Sequence, residues 1–312
     1  MTNSKKEKIV VVGGGIAGMV AASYLTRYGK QVLVLEQNHH TGGNMSGFRR
    51  GDYYFDGGDQ SFESLGIVFP ILKDLGIYDK LEWTKVRYRM KSDHFDFFID
   101  SFKDVEEALG TAFPDETGIP ELFREVKRVC SFLDKYCTAH SFPALNDTSL
   151  SKLVSFLPQV PSLLQWMRFD YREKMCGLVK NPALRKWFTE IGYYRMPFLF
   201  FAGFWNLWIK DYWYPVGGMQ KLHDLLAEQY TANGGELRCN VLVKKIETKN
   251  GKATGVLTSK GEFIEADKVV YAGDYKALVA GILDPELFPK KRRVKVQEAP
   301  LTESLVAAYL GV

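Results

Sequence analysis

The chain has 312 residues, long for one core and comfortable for two domains. With 46% hydrophobic and 25% charged residues it reads as globular, which excludes a disordered chain. Basic residues outnumber acidic ones by 41 to 37, a formal charge of +4 with no long basic run. That balance implies no nucleic-acid partner and at most a weak attraction to anionic membrane surfaces.

The opening MTNSKKEK is polar and carries no apolar h-region, so no signal peptide is expected. Residues 9–12 form an apolar, β-branched run, the pattern of a strand buried on both faces. Gly13, Gly15 and Gly18 then match G-x-G-x-x-G. Residues 16–28 read as a helix closed by Gly29, and residues 31–35 as a second buried strand ending at Glu36. In this βαβ unit Gly13 allows the turn, Gly15 lets a pyrophosphate approach the backbone, and Gly18 lets the helix pack on the sheet. The helix N-terminus offers unpaired N–H groups to that pyrophosphate. A carboxylate at Glu36 can accept both ribose hydroxyls and would repel a 2′-phosphate, so the nucleotide is NAD or FAD.

The next stretch, EQNHHTGGNMSGFRRGDYYFDGGDQSF, separates the two. An ordinary NAD-binding domain would enter a helix here. This chain instead places the pair Gly42-Gly43 after Glu36 and then a glycine-rich return at Phe55-Asp56-Gly57-Gly58. A second close approach of backbone suggests a cofactor that extends beyond one dinucleotide half. The stretch resembles the flavoprotein superfamily in which an acid, then GG, then D-x-G follow the dinucleotide fingerprint. Further on, residues 214–274 begin YPVGGMQKLHDLLAEQY. Residues 219–230 read as a helix, 237–239 as a short strand, and 241–248 and 253–258 as strands joined by a type I′ turn at Asn250-Gly251. Lys260-Gly261 makes another turn, and 267–272 is one more buried strand. With YPVGGM and the helix after it, the chain resembles the phytoene desaturase, carotenoid isomerase and retinol saturase family.

That resemblance implies an α/β fold: a Rossmann-like FAD-binding domain, a parallel sheet plus β-meander, interrupted by a mostly helical substrate domain. The expected division is residues 1–84 and 214–298 for FAD, and 85–213 plus 299–312 for a substrate or membrane-facing domain. The implied cofactor site comprises Gly13, Gly14, Gly15, Ile16, Ala17, Gly18, Glu36, Gly42, Gly43, Asn44, Gly57, Gly58, Asp59 and Val243. Many members carry Arg after the glycine pair where this chain has Asn44, which removes a guanidinium contact to phosphate. Members also return to the flavin with a further glycine-rich segment beyond the point where this chain stops. The expectation is therefore a fragment, one half of a split enzyme whose FAD site a second polypeptide completes, or a degenerate form.

Between these regions the glycine fingerprints vanish. LSKLVSFLPQVPSLLQWMRFDYREK carries Leu153, Val154, Phe156, Leu157, Leu163, Leu164, Trp166 and Met167, followed by Arg168, Arg172 and Lys174. Residues 198–209 form an apolar run between Arg195 and Lys210. Each segment suits either a domain core or a surface dipping into one leaflet; neither reaches the ~18–20 apolar residues of a spanning helix. A cytoplasmic protein, perhipheral to a membrane where a leaflet is entered, is expected. Cys130, Cys137, Cys176 and Cys239 make no CxxC pair and suit reduced, mostly buried thiols. His39, His40, His94, His140 and His223 are too scattered for a metal site, and His39-His40 suits a solvated loop.

No Ser/His/Asp order and no G-x-S-x-G occur, and no catalytic residue is singled out among the acids Asp59, Glu63, Glu190 and Asp211. Flavin chemistry needs no such constellation, because the cofactor takes the electrons. Asp59 follows Gly57-Gly58 and is either a group near the flavin or a turn residue bonding its own backbone. The absence of a second G-x-G-x-x-G argues against a dedicated NAD(P)H domain. The resemblance implies oxidoreduction or isomerisation of a long apolar polyene, such as a carotenoid or retinoid. The alternatives are an amine-oxidase-like flavoenzyme and a non-catalytic nucleotide-binding module.

Overall fold

A computed structural model describes residues 7–136, 154, 156–193, 195–301 and 307–311. Cys137, His140 and Leu153 lie outside the described residues. The chain divides into two compact units: Met1–Gln60, Leu72–Trp83 and Pro215–Val312 in the first, Ser61–Ile71 and Thr84–Tyr214 in the second.

In the first unit, β1 (Lys8–Val12), α1 (Ile16–Arg27) and β2 (Gln31–Leu35) form the expected βαβ unit. A hairpin of β3 (Gly47–Arg50) and β4 (Tyr53–Asp56) follows. After the second unit come α2 (Met219–Ala232), β5 (Glu236–Arg238), β6 (Val243–Lys249), β7 (Lys252–Thr258), β8 (Phe263–Glu265) and β9 (Lys268–Tyr271). The sheet runs β5-β2-β1-β9, all parallel. Side chains alternate along a strand, so β1 is buried twice over. Ile9 and Val11 face Met19 and Ala22 of α1 and Tyr230 of α2. Val10 and Val12 face Val243, Ile246 and Val256 of the antiparallel β6-β7-β8 meander. Each such aliphatic side chain contributes roughly 1.5–3 kcal/mol on burial. The β6-β7 turn has φ of +53° at Asn250 and +72° at Gly251, as a type I′ turn requires.

The second unit is mostly helical. Helices Phe102–Ala112, Ile119–Tyr136, Val160–Arg168, Tyr171–Leu178, Pro182–Glu190 and Phe198–Lys210 enclose one aromatic core. Phe123, Phe188 and Phe201 pack around the fully buried Trp205, with ring centroids 5.2, 6.2 and 6.3 Å away. The apolar run at 198–209 is thus the centre of this core, because Phe198, Phe201, Ala202 and Trp205 recur at helical spacing on its buried side. The segment before it differs: Leu157, Leu164, Met167 and Phe169 are exposed while Trp166 is buried. No helix among the described residues is long and apolar enough to cross a membrane.

Two pieces fall differently from the expected division. Ser61–Ile71 joins the second unit, where the strand Phe62–Glu63 pairs with Tyr212–Pro215. Residues 307–311 form no strand and join the first unit. There the Tyr309 ring meets Phe48 and Phe55 edge-on at 5.0 and 5.4 Å, and its hydroxyl donates to the Gly57 carbonyl at 3.1 Å. The thiols also depart from expectation. Cys130 is buried, and burial pushes its thiol up to about 12, but Cys176 is exposed and Cys239 half-buried.

Candidate functional site

A cavity of about 840 Å³ opens in the first unit at the carboxyl ends of β1, β2 and β9. In open parallel sheets this is where ligands bind. Three chain segments that the sequence separates are laid against one another here.

The first is the turn from β1 into α1. Gly13 N–H donates to the Leu35 carbonyl at 2.9 Å, tying the turn to β2. Gly18 sits so close to this turn that an added Cβ would stand 2.0 Å from the Gly13 carbonyl oxygen. No side chain caps the N-terminus of α1 at Gly15, so the first N–H groups at Ile16 and Ala17 stay available at the cavity wall.

The second segment is the loop after β2. Gly42 N–H donates to the Gly14 carbonyl at 3.0 Å, and Gly15 and Gly42 form a parallel bridge. Gly42 has φ of +136°, with Ser46 under 3 Å from any added Cβ, so only glycine is accommodated. Gly43 and Asn44 line the cavity beside it. The third segment reaches the second through backbone. Asp59 N–H donates to the Asn44 carbonyl at 3.0 Å, and Gly57 N–H to the Ser46 carbonyl at 2.7 Å.

Glu36 anchors the other end. It is buried at 4% exposure; one carboxylate oxygen accepts from Gly14 N–H at 2.6 Å and the other from Asn38 N–H at 2.8 Å. Each oxygen keeps a further lone pair, so the group can still accept from a diol. Val243 is buried at the start of β6, and the backbone of 241–243 passes along the cavity, with Val241 N–H donating to the Glu36 carbonyl at 2.9 Å.

Of the expected site residues, Gly13, Gly15, Ile16, Ala17, Glu36, Gly42, Gly43, Asn44, Asp59 and Val243 line this one cavity. Gly14 and Gly18 shape the turn from behind, and Gly57 and Gly58 support Asn44 and Ser46 without lining the cavity. Asp59 is the member of the four candidate acids that reaches it; its side chain is exposed. Asp211 instead holds the second unit together, accepting from Leu65 N–H at 2.6 Å and from the Trp213 indole at 2.7 Å. Glu190 is exposed opposite Lys186, and Glu63 bonds the Tyr212 hydroxyl. Residues 271–274 and Leu242 also line the cavity and escaped the sequence reading. A signal was present: Ala272 and Gly273, both small, follow an apolar strand, the mark of a close approach at a strand's carboxyl end.

These features suit a dinucleotide: an uncapped helix end for the pyrophosphate, a glycine at 15 lining the cavity, a buried carboxylate for the ribose, and a second glycine turn for what lies beyond. Residues 16–309 match the family described as flavin containing amine oxidoreductase. Over 92% of this chain, 27% of positions are identical to 1-hydroxycarotenoid 3,4-desaturase of Flavobacterium sp. (strain P99-3), covering 61% of that protein. Identity is 22% to 4,4′-diapophytoene desaturase (4,4′-diapolycopene-forming) of Methylomonas sp., across 100% of this chain and 62% of the relative. The chain thus spans about three fifths of the length of these relatives. Among solved structures, putrescine oxidase bound to putrescine superposes with a TM-score of 0.63 at 17% identity, over 94% of this chain and 63% of that one. The fold is that of FAD-dependent oxidoreductases, its cofactor is FAD, and the chain belongs to the family of flavin-containing amine oxidoreductases.

Proposed function

We propose that this chain carries the FAD site of an oxidoreductase acting on a long apolar polyene of the carotenoid or retinoid class. The observation that carries the reading is the meeting of the 13–18 and 42–44 glycine turns on one cavity that ends at Glu36. The activities of the relatives, two carotenoid desaturases, supply the substrate class. In this reading the Ile16 and Ala17 N–H groups and the α1 dipole hold the pyrophosphate. Glu36 accepts the ribose hydroxyls, the backbone at 241–243 meets the adenine, and Gly42, Gly43, Asn44 and Asp59 border the flavin side. Bound flavin supplies a two-electron acceptor for the hydride leaving a C–H bond, or a donor for the reverse reaction. Asn44 in place of Arg leaves the phosphates to backbone donors.

A peripheral position on a membrane belongs to the same proposal. Its support is the exposed set Leu157, Leu164, Met167 and Phe169, on a segment bordering a groove with Arg124, Arg128 and Lys135. A second polypeptide completing the FAD site is also part of it, tested by co-purification. The deciding experiment is to purify the chain without added cofactor, record its visible spectrum, and identify any released nucleotide. The expected outcome is FAD, and loss of its oxidised absorbance on anaerobic mixing with a carotenoid precursor. Released NAD, or no flavin change with any polyene, overturns the reading. The family description keeps one rival, oxidation of an amine, which amine-dependent peroxide release would favour.

A further inference from the structure

A second cavity, of about 790 Å³, opens beside the β3-β4 hairpin and shares no lining residue with the FAD cavity. His39, His40, Arg49, Arg50 and Lys221 border it, against one carboxylate, Asp224. Three permanent cations less one carboxylate leave a surplus of two positive charges before either imidazole is protonated.

Five arginines elsewhere in the chain form ion pairs: Arg27, Arg87, Arg89, Arg238 and Arg293 each meet a carboxylate. Among the described residues, Arg49, Arg50 and Lys221 form no ion pair. Arg49 lies 5.7 Å from the centre of the Tyr54 ring, and the Lys221 ammonium donates to the Val216 carbonyl at 3.3 Å. Asp224 is partly engaged as well, accepting from the Gln220 amide at 2.8 Å.

The floor beneath them is cross-linked. The Gln220 side chain accepts from Gly47 N–H at 3.1 Å and donates to the Thr41 carbonyl at 3.0 Å, joining β3, the loop after β2 and α2. The Tyr54 hydroxyl accepts from Gln220 N–H at 3.1 Å and donates to Asp56 at 2.9 Å, and Asp56 accepts from Met219 N–H at 2.9 Å. Burial, with the Asp56 charge, pushes the Tyr54 phenol up to about 12, so it keeps its proton at any working pH. A rigid polar floor under unpaired like charges is an arrangement that a bound anion stabilises.

We propose that this cavity binds a phosphate or diphosphate group. Guanidinium forks match the spacing of phosphate oxygens, and an ammonium adds a point charge. The volume exceeds what inorganic phosphate fills and leaves room for an organic remainder. The group comes either from a soluble phosphate ester or from the headgroup of an anionic phospholipid.

The test is calorimetric titration of inorganic pyrophosphate into the chain saturated with FAD. Wild type binds; Arg49→Gln with Arg50→Gln and Lys221→Gln weakens binding by roughly tenfold or more. Circular dichroism melting verifies that the variant folds, and Arg50→Gln alone gives a smaller loss in the same direction. Sedimentation with phosphatidylcholine vesicles, pure or mixed equally with phosphatidylglycerol, separates the sources. Capture by the mixed vesicles that the variant loses and pyrophosphate competes away assigns the headgroup; pyrophosphate binding without such capture assigns a soluble ester. The proposal is overturned by absent binding, by unchanged affinity in the folded variants, by sulfate binding as tightly, or by FAD displacing pyrophosphate.

Discussion

His223 offers a quantitative test of the first unit. It lies on α2, fully buried, and neither ring nitrogen has a hydrogen-bond partner among the described residues. Burial lowers its pKa from 6.5 to about 4; nearby Asp224 opposes that shift and His40 adds to it. The folded protein therefore binds fewer protons at this site than the unfolded chain between those two values. Stability is undiminished above 6.5, falls as pH drops, and the loss is complete near 4. Taking both values, acidification from pH 7 to pH 5 costs about 2 kcal/mol through this side chain alone. His223→Leu removes the titration and two unpartnered polar atoms, so it retains that increment at pH 5. Urea unfolding of wild type and variant at both pH values, at constant ionic strength, reads the difference. If the two proteins lose equal stability between pH 7 and pH 5, the reasoning is wrong, whatever their absolute values.

Glu36→Ala leaves Gly14 and Asn38 N–H groups without their acceptor and removes the ribose partner. The expected loss is about 1.5–3 kcal/mol of FAD affinity, measured by flavin fluorescence titration. Gly18→Ala forces a Cβ against the Gly13 carbonyl and is expected to cost roughly 1–3 kcal/mol and to release flavin. Gly110→Ala, in open space within a helix, is expected to stabilise by about 0.5–1 kcal/mol, and thermal melting separates the two. In the second unit, Glu116 accepts from the N–H groups of Gly118, Lys180 and Asn181 at 2.9, 2.7 and 2.7 Å. Burial would raise its carboxyl, but these donors outweigh burial and hold it below 4.5. Glu116→Gln is expected to cost roughly 2 kcal/mol at pH 7, and the gap to wild type closes as pH falls below 4.5, read by urea unfolding.

The local frame was legible from residues 8–36 and 219–271, because steric and periodic rules act over a few residues. β1 is buried on both faces because it is an unbroken β-branched run, and Asn250-Gly251 turns back because both positions tolerate positive φ. The glycine turns at 13–18 and 42–44 declare close approach wherever they occur. What they approach is a long-range matter. The bridge between Gly15 and Gly42, and the withdrawal of Gly57 and Gly58 behind Asn44, depend on how separate loops stack at the sheet's end. The apolar run at 198–209 had two readings, and packing around Trp205 chose the core. His223 looked like one scattered histidine, yet its place on the buried side of α2 sets its titration. The basic side chains at 49–50 and 221 and the histidines at 39–40 are a patch in no stretch of sequence; they meet because Gln220 ties three elements together. Sequence specifies conformations whose energies are local, whereas burial, charge surplus and cavity shape arise from sums over distant contacts.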